Sequence, residues 1–233
     1  MRKYIILLLS LLASNFMMAQ FAKPQNLPGY DNKIVHWGFT FGIDKFDFFM
    51  EKSTSFAFAD TANNLYGIVH KWMPGGHLGP IVELRLDRYF KLRFLVTLTF
   101  QQRDLLYYFN HGKDVLDIAI PSTFIQTPVL LKFNGARRGN VRPYVIAGMA
   151  PTFDIASKKH LSPDRPHVYL NRFDMCAEVG TGISWFLPYF KLATELKFGR
   201  GFFNVLQPDG TLYTKYINAL YSYYVMFSFH FEG

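Results

Sequence analysis

The strongest constraint on the fold is a period-two alternation of apolar and polar side chains that recurs along the chain. Between Lys91 and Phe100 every even position is apolar, whereas the odd positions are polar except for Leu95. Residues 190–198 and 221–232 alternate in a similar way. Successive side chains of a β-strand point to opposite faces, so each segment predicts a strand with one apolar and one polar face. No segment shows a convincing helical period, and we expect an all-β chain.

The same pattern predicts eight strands, which span residues 34–43, 78–86, 91–100, 123–133, 143–153, 173–187, 190–198 and 221–232. Long connections between them alternate with short ones. Outer-membrane barrels pair short periplasmic turns with longer extracellular loops. We therefore expect residues 34–233 to form an eight-stranded antiparallel up-and-down transmembrane β-barrel with both termini in the periplasm.

The aromatic content separates this interpretation from a soluble barrel such as a lipocalin, whose strands alternate too. The chain has 25 Phe, 14 Tyr and 3 Trp, and an apolar, aromatic outer face is what lipid requires. Several tyrosines fall near predicted strand ends, including Tyr107, Tyr144 and Tyr189. Their position predicts interfacial girdles. Pro128 lies inside a predicted strand and, lacking a backbone donor, predicts a β-bulge.

The N-terminus has the pattern of a secretory signal peptide. Arg2 and Lys3 precede an apolar run, and Ala19 ends a less hydrophobic stretch. The run is too short to cross a bilayer. We expect residues 1–19 to be a signal peptide and residues 20–33 a periplasmic segment that precedes the barrel.

The charged residues of the polar faces are predicted to fill the lumen. Pairing across the turn at Pro188 sets Gly182 opposite Glu195 and Gly180 opposite Lys197, and these glycines leave room for long side chains. We also expect Glu83 to lie diagonal to Arg93, with Arg85 directly across from Arg93. An eight-stranded barrel is just wide enough for side chains to fill it, so the interior is predicted to be polar and plugged. The predicted lumenal network comprises Glu83, Arg85, Arg93, Gln126, Lys132, Glu178, Glu195, Lys197 and His230.

Two chemical interpretations of this network are possible. Glu178, Glu195 and His230 form an acid/base cluster if they act on a substrate. A structural network is favoured, because charges buried in a barrel must be paired whatever the protein does. The histidines lack a ligand spacing and Cys176 stands alone, so no metal or cofactor is expected. Export and the absence of an aromatic-interleaved basic stripe argue against nucleic acid as a partner.

Several segments resemble the PorT family of Bacteroidetes outer-membrane β-barrels. The matching segments are 93–94, 100–105, 122–124, 128–133, 142–144, 178–180, 187–191, 195–198 and 228–232. The matches occur in order between Ile81 and Gly233, and the sequence departs from the family's pattern at Ile120-Pro121 and over residues 20–77.

This resemblance implies a component of the type IX secretion system, which exports proteins and in gliding species supports motility. It carries no catalytic residues over to this chain. A plugged eight-stranded barrel is a poor candidate for the conduit itself, so we expect an accessory or assembly role. The expected partners are outer-membrane lipid and other secretion proteins, and no small-molecule substrate is expected. Two alternatives stay open: a generic small barrel that binds a surface ligand through its loops, and an outer-membrane lipid-modifying enzyme.

Overall fold

The computed structural model describes residues 24–52, 65–71, 73–109, 113–156, 169–208 and 217–233. The expected signal peptide lies outside these ranges. Within them, no helix combines the length and the apolar character needed to cross a membrane.

Eight antiparallel strands make up nearly all of the described chain. They are β1 (Val35–Lys52), β2 (Leu65–Lys71 and Gly75–Arg85), β3 (Phe90–Leu95 and Thr97–Phe109), β4 (Asp114–Gln126 and Val129–Asn134), β5 (Val141–Asp154), β6 (Phe173–Phe186), β7 (Lys191–Gly201) and β8 (Ile217–Glu232). Each strand pairs with its neighbours in the chain, and β8 pairs with β1 over most of their length. The pairing therefore forms a ring, and the prediction of an eight-stranded up-and-down barrel is confirmed.

The two ends of the ring differ in their connections. Turns at residues 86–89, 135–140 and 187–190 close one end, which we call the short-turn end. The connections at the opposite end, which we call the loop end, are longer except for the one between β3 and β4. Strands extend much further toward the loop end than predicted: β1 continues to Lys52, and β3 and β4 are joined between Phe109 and Asp114. The prediction of a long connection over residues 101–122 is wrong, because backbone pairing continues where the side-chain alternation weakens.

Pro128 does not mark a bulge. Thr97 pairs with Gln126 and Phe94 pairs with Val129, which is one register on both sides of the proline. The carbonyl of Pro128 still accepts the N–H of Leu95 at 3.2 Å. The predicted bulge is wrong because the missing proline donor interrupts the ladder without inserting an extra residue.

The outer face of the ring is apolar and rich in aromatic rings. Phe39 and Phe231 stack across β1 and β8 at 5.1 Å between ring centroids. Large exposed side chains at outward positions include Trp37, Phe41, Phe100, Leu131, Phe133, Val145, Met149, Val179, Phe198 and Phe227. Tyr107 and Tyr144 are instead buried inside the ring, so their predicted place in an interfacial girdle is wrong. Both occupy inward-facing positions of their strands.

Candidate functional site

A cluster of charged side chains fills the lumen near the short-turn end. Its centre is the fully buried carboxylate of Glu83 on β2, which accepts hydrogen bonds from Nε of Arg93 at 2.9 Å and from Nζ of Lys132 at 2.7 Å. Lys91 and Lys191 approach the second oxygen at 3.3 and 3.4 Å. One acid thus receives four cations, and the cluster needs further carboxylates to balance them.

Arg93 links Glu83 to two of those carboxylates. Its guanidinium donates a hydrogen bond to Glu195 and lies 3.8 Å from Glu232. The hydroxyl of Tyr144 donates to the same oxygen of Glu195 at 2.8 Å. His230 completes the group, with Nε2 at 3.3 Å from the other oxygen of Glu195. All of these side chains are buried, so mutual pairing replaces the water that they lose.

The strand register around this cluster agrees with the prediction between β6 and β7 and differs from it between β2 and β3. Gly182 pairs with Glu195 and Gly180 with Lys197, as predicted. A Cβ atom on Gly182 would lie 2.4 Å from the Tyr144 ring, so the glycine makes room for that ring. Glu83 lies directly opposite Arg93 instead of diagonal to it. The reason is the turn, in which Leu86 donates to the Phe90 carbonyl at 3.0 Å and sets the register of the strands.

The short-turn end is closed by residues 24–33, which we call the N-terminal stopper. This segment contains a turn in which Leu27 has a φ of 50° and a single turn of 3-10 helix at Tyr30–Asn32. Tyr30 donates its backbone N–H to the Leu27 carbonyl at 3.1 Å. The sharp turn directs the side chain of Tyr30 into the barrel mouth.

Tyr30 is buried against the charged cluster. Its hydroxyl donates to Glu232 at 2.9 Å, and its ring stacks on His36 at 4.0 Å between centroids. The ammonium groups of Lys91 and Lys191 lie 5.2 and 5.0 Å from the ring centroid, within the range of cation–π attraction. Burial first and the Glu232 charge second raise the pKa of the Tyr30 hydroxyl, which keeps its proton.

Arginines of the surrounding strands and turns hold the stopper from outside. Asp31 makes two hydrogen bonds of 2.8 Å with Arg142 on β5. Partial burial alone would raise the pKa of Asp31, but Arg142 holds that pKa below its ordinary value. Arg85 donates to the Asp31 carbonyl, and Arg137 donates to the Asn26 carbonyl. Arg85 thus contacts the stopper at the mouth of the barrel, and its contacts lie with the stopper and not with Glu83.

Farther along the barrel a second group forms around Glu178. Lys197 lies 2.9 Å from its carboxylate, and Tyr224 donates a hydrogen bond of 2.5 Å to it. Glu195 has a separate set of partners, so the structure does not join the two glutamates into one acid/base pair. Gln126 belongs to neither the charged cluster nor the Glu178 group. Its side-chain amide donates a hydrogen bond to Thr152 at 3.2 Å.

A serine, a histidine and an aspartate also form a hydrogen-bonded chain in the lumen. His77 contacts Ser228 Oγ through Nε2 at 2.9 Å and Asp44 Oδ2 through Nδ1 at 3.0 Å. This order of groups matches that of hydrolytic triads. All three side chains are buried, and none lines the cavity beside Arg103 or the groove beside Arg172 that the described residues form at the loop end. Their geometry satisfies polar groups in the lumen but offers a substrate no approach.

The loop end of the lumen is filled by apolar side chains. A short two-stranded ladder, Tyr169–Leu170 with Leu206–Gln207, contributes Leu170 and Leu206 to it. The loop-end cluster comprises Phe48, Ile68, Leu105, Tyr107, Ile118, Leu170, Val205, Leu206, Ile217 and Leu220. The described lumen is therefore filled by charge pairs at one end and by apolar packing at the other. Its predicted polar character is confirmed by the charged cluster, by the Glu178 group and by the chain from Ser228 to Asp44, and the loop end adds apolar packing.

Comparison with known sequences identifies the family. The profile described as outer membrane protein beta-barrel domain matches residues 18–207. The chain belongs to this family. Its location is therefore the bacterial outer membrane. None of the curated proteins matches the chain.

Solved structures of outer-membrane proteins are similar to this family member over most of its length. OprG from Pseudomonas aeruginosa has a TM-score of 0.48 and 13% identity, covering 86% of this chain and 97% of its own. Neisserial surface protein A has a TM-score of 0.44 and 11% identity, covering 85% and 96%. Ail of Yersinia pestis, solved with the heparin analogue sucrose octasulfate, has a TM-score of 0.38 and 9% identity, covering 86% and 100%.

Sequence reasoning about this barrel missed five members of the charged cluster: Tyr30, Lys91, Tyr144, Lys191 and Glu232. The three charged ones share a strand face with predicted network residues, so the period-two pattern carried enough signal to find them. Tyr30 precedes the first strand, and no strand pattern places it. Within the described ranges, no group of three or more His, Cys, Asp or Glu side chains is arranged to hold a metal ion.

Proposed function

We propose that this outer-membrane barrel is a non-catalytic accessory or assembly component of the type IX protein secretion machinery. The proposal joins two arguments, the resemblance of its sequence segments to the PorT family and the filling of its lumen. The resemblance suggests the machinery in which the barrel acts. The filled lumen limits the role that the barrel can have in that machinery.

The filled lumen is the observation that carries the accessory role. The N-terminal stopper covers the charged cluster, and the loop-end cluster packs at the other end. An exported polypeptide needs a water-filled path, whereas the side chains here are mutually paired or packed. The barrel therefore contributes through its surfaces, with the loops or the short-turn end docking on other secretion proteins. In this proposal the short-turn end and both termini face the periplasm.

The same geometry favours a non-enzymatic role. The hydrogen-bonded chain of Ser228, His77 and Asp44 is enclosed by the barrel wall. Glu195, another acid/base candidate, is engaged by Arg93 and Tyr144 inside the charged cluster, and His230 contacts Glu195. A lipid substrate would need these groups on the outer face, where apolar side chains lie instead.

Deletion of the gene tests the role in secretion. We expect cargo proteins to accumulate inside the cell, and wild-type complementation to restore their export. A complementing variant with Glu195→Gln and His230→Gln, if it still assembles, is expected to secrete normally because neither group acts on a substrate. Normal secretion in the deletion strain would overturn the proposal.

Electrophysiology tests the accessory part separately. The purified barrel in a planar bilayer is expected to show no stable conductance, because its lumen is filled. Large, long-lived conductance steps from the wild-type chain would argue for a conduit instead.

A further inference from the structure

An open groove lies at the loop end, outside the filled lumen. It has a volume of about 640 Å³, which is within the usual size range of small-molecule sites. Its lining residues are Leu170, Asn171, Arg172, Phe173, Phe203, Asn204 and Gln207. The groove therefore runs between the segment that enters β6 and the segment that leaves β7.

Hydrogen bonds fix the frame of this groove. Asn171 donates its backbone N–H to the Val205 carbonyl at 2.8 Å and its side-chain amide to the Asn204 carbonyl at 3.1 Å. The buried Asp174 carboxylate accepts the backbone N–H of Phe203 at 3.3 Å. Both walls are thereby tied to each other and to β6, so the groove is formed before any ligand arrives.

The polar end of the groove carries a cation that has no side-chain partner among the described residues. Arg172 is exposed, and its guanidinium makes no hydrogen bond or ion pair with the described residues. The side-chain amide of Gln207 on the opposite wall is unpaired within the same ranges. A guanidinium offers planar pairs of N–H donors that match the oxygens of a phosphate. This end is thus suited to an anionic oxygen ligand.

The other side of the groove is apolar and leads onto the barrel wall. The rings of Phe203 and Phe173 lie 6.0 Å apart, and those of Phe173 and Phe153 lie 5.0 Å apart. Phe153 and Phe173 are 45% and 39% exposed at outward positions of β5 and β6. The three rings therefore form a continuous apolar strip from the groove to the outer face of the barrel.

We propose that this groove binds a phosphorylated acyl lipid of the leaflet that surrounds the loop end. The phosphate lies against Arg172 and Gln207, and an acyl chain runs along Phe203, Phe173 and Phe153. A free phosphate ion would use the guanidinium but leave the three rings uncovered. An uncharged lipid would cover the rings but leave the guanidinium without a partner. The proposal does not depend on the role in secretion.

Native mass spectrometry of the detergent-solubilised full chain tests this site with three matched probes. They are dimyristoylphosphatidic acid, dimyristoylglycerol with the same acyl chains, and inorganic phosphate. We expect the first to remain bound, the second to bind roughly tenfold more weakly, and the third not to be retained, because a charged hydrogen-bonded pair adds about that factor. Equal retention of the two lipids, or retention of phosphate alone, would overturn the proposal.

Substitutions locate the binding on the protein. Arg172→Gln is expected to weaken binding of the phosphatidic acid about tenfold, and Phe203→Ser to weaken both lipids. Arg138→Gln, which removes an exposed arginine at the short-turn end, is the matched control and should leave binding unchanged. Heat-dependent migration on gels reports that each variant is folded. If Arg172→Gln and Arg138→Gln bind the lipid equally, the groove is not the site.

Discussion

The two ends of the lumen exclude water in opposite ways. Near the short-turn end, Glu83, Glu195 and Glu232 are buried among arginine and lysine side chains and covered by Tyr30. At the loop end, Leu105, Leu220 and their neighbours form a mainly apolar cluster, and Arg103 contacts it through the ring of Phe48. A buried charge is strongly destabilising when one of its oppositely charged partners is missing, whereas apolar packing requires only that the space be filled. The first end should therefore be intolerant of losing any single partner.

The largest effect is expected when the charged end loses its central cation. Arg93→Met leaves Glu195 and Glu83 buried with fewer partners, which should cost about 3–5 kcal/mol in the free energy of unfolding. Urea-induced unfolding of the barrel in lipid vesicles measures this change in the free energy of unfolding. The exposed control Arg138→Gln should change stability by less than about 0.5 kcal/mol.

A double variant sharpens this prediction. Removing both charges in Arg93→Met with Glu195→Gln should destabilise less than the sum of the two single changes, because the orphaned carboxylate is gone. Strict additivity would mean that the two groups do not interact.

The second-largest loss of stability is expected at the apolar loop end. Leu220 is fully buried in the loop-end cluster, so Leu220→Ala should cost about 3 kcal/mol through lost burial and the cavity left behind. Leu86→Ala, at an exposed position in a short turn, is the control. A double change across the two ends, Arg93→Met with Leu220→Ala, should be additive; strong coupling would contradict the separation of the two ends.

A smaller effect is expected from the stopper. Tyr30→Phe removes only the hydroxyl that donates to Glu232 at 2.9 Å. The hydroxyl also accepts a hydrogen bond from Nζ of Lys191 at 3.3 Å, and loss of these hydrogen bonds to charged groups should cost about 2 kcal/mol. Tyr189→Phe removes the same atom from a side chain that is 90% exposed and should leave the unfolding midpoint in place. If the two variants are equally stable, Tyr30 does not seal the mouth through this contact.

The smallest effect is a pH dependence at the rim of the stopper. The pKa of Asp31 is lowered in the folded chain, so its stabilising contribution is present above the unfolded-state pKa of about 3.9 and is lost as pH falls through the folded-state value. Asp31→Asn should cost less than about 1 kcal/mol at pH 7, since the pair is partly exposed.

Measuring the free energy of unfolding of Asp31→Asn and of the wild type across pH checks the direction of this pH dependence. Their difference in unfolding free energy should shrink toward zero below about pH 4. Asp87→Asn, a carboxylate in an exposed turn, should show no comparable loss. A difference that grows on acidification would have the wrong sign for this mechanism.

The sequence pattern predicted which residues face the lumen better than it predicted which of them touch. Lys132, Glu178, Glu195, Lys197 and His230 all point inward, because strand geometry alone decides the face. Which of these side chains touch depends on the register of the paired strands. Arg85 was predicted opposite Arg93 but pairs with Lys91, because the hydrogen bonds of the Leu86 turn set the alignment.

The sequence by itself determined the eight strands, the apolar outer face and the inward direction of the charged residues, because all three follow from the two-residue period of a strand. Only the tertiary structure decided where the strands end, how the cations divide among Glu83, Glu195 and Glu232, and that Tyr30 closes the mouth. These depend on contacts between residues far apart in the chain, such as the 202 positions that separate Tyr30 from Glu232. The packing of the closed ring determines such contacts, and no local period encodes them.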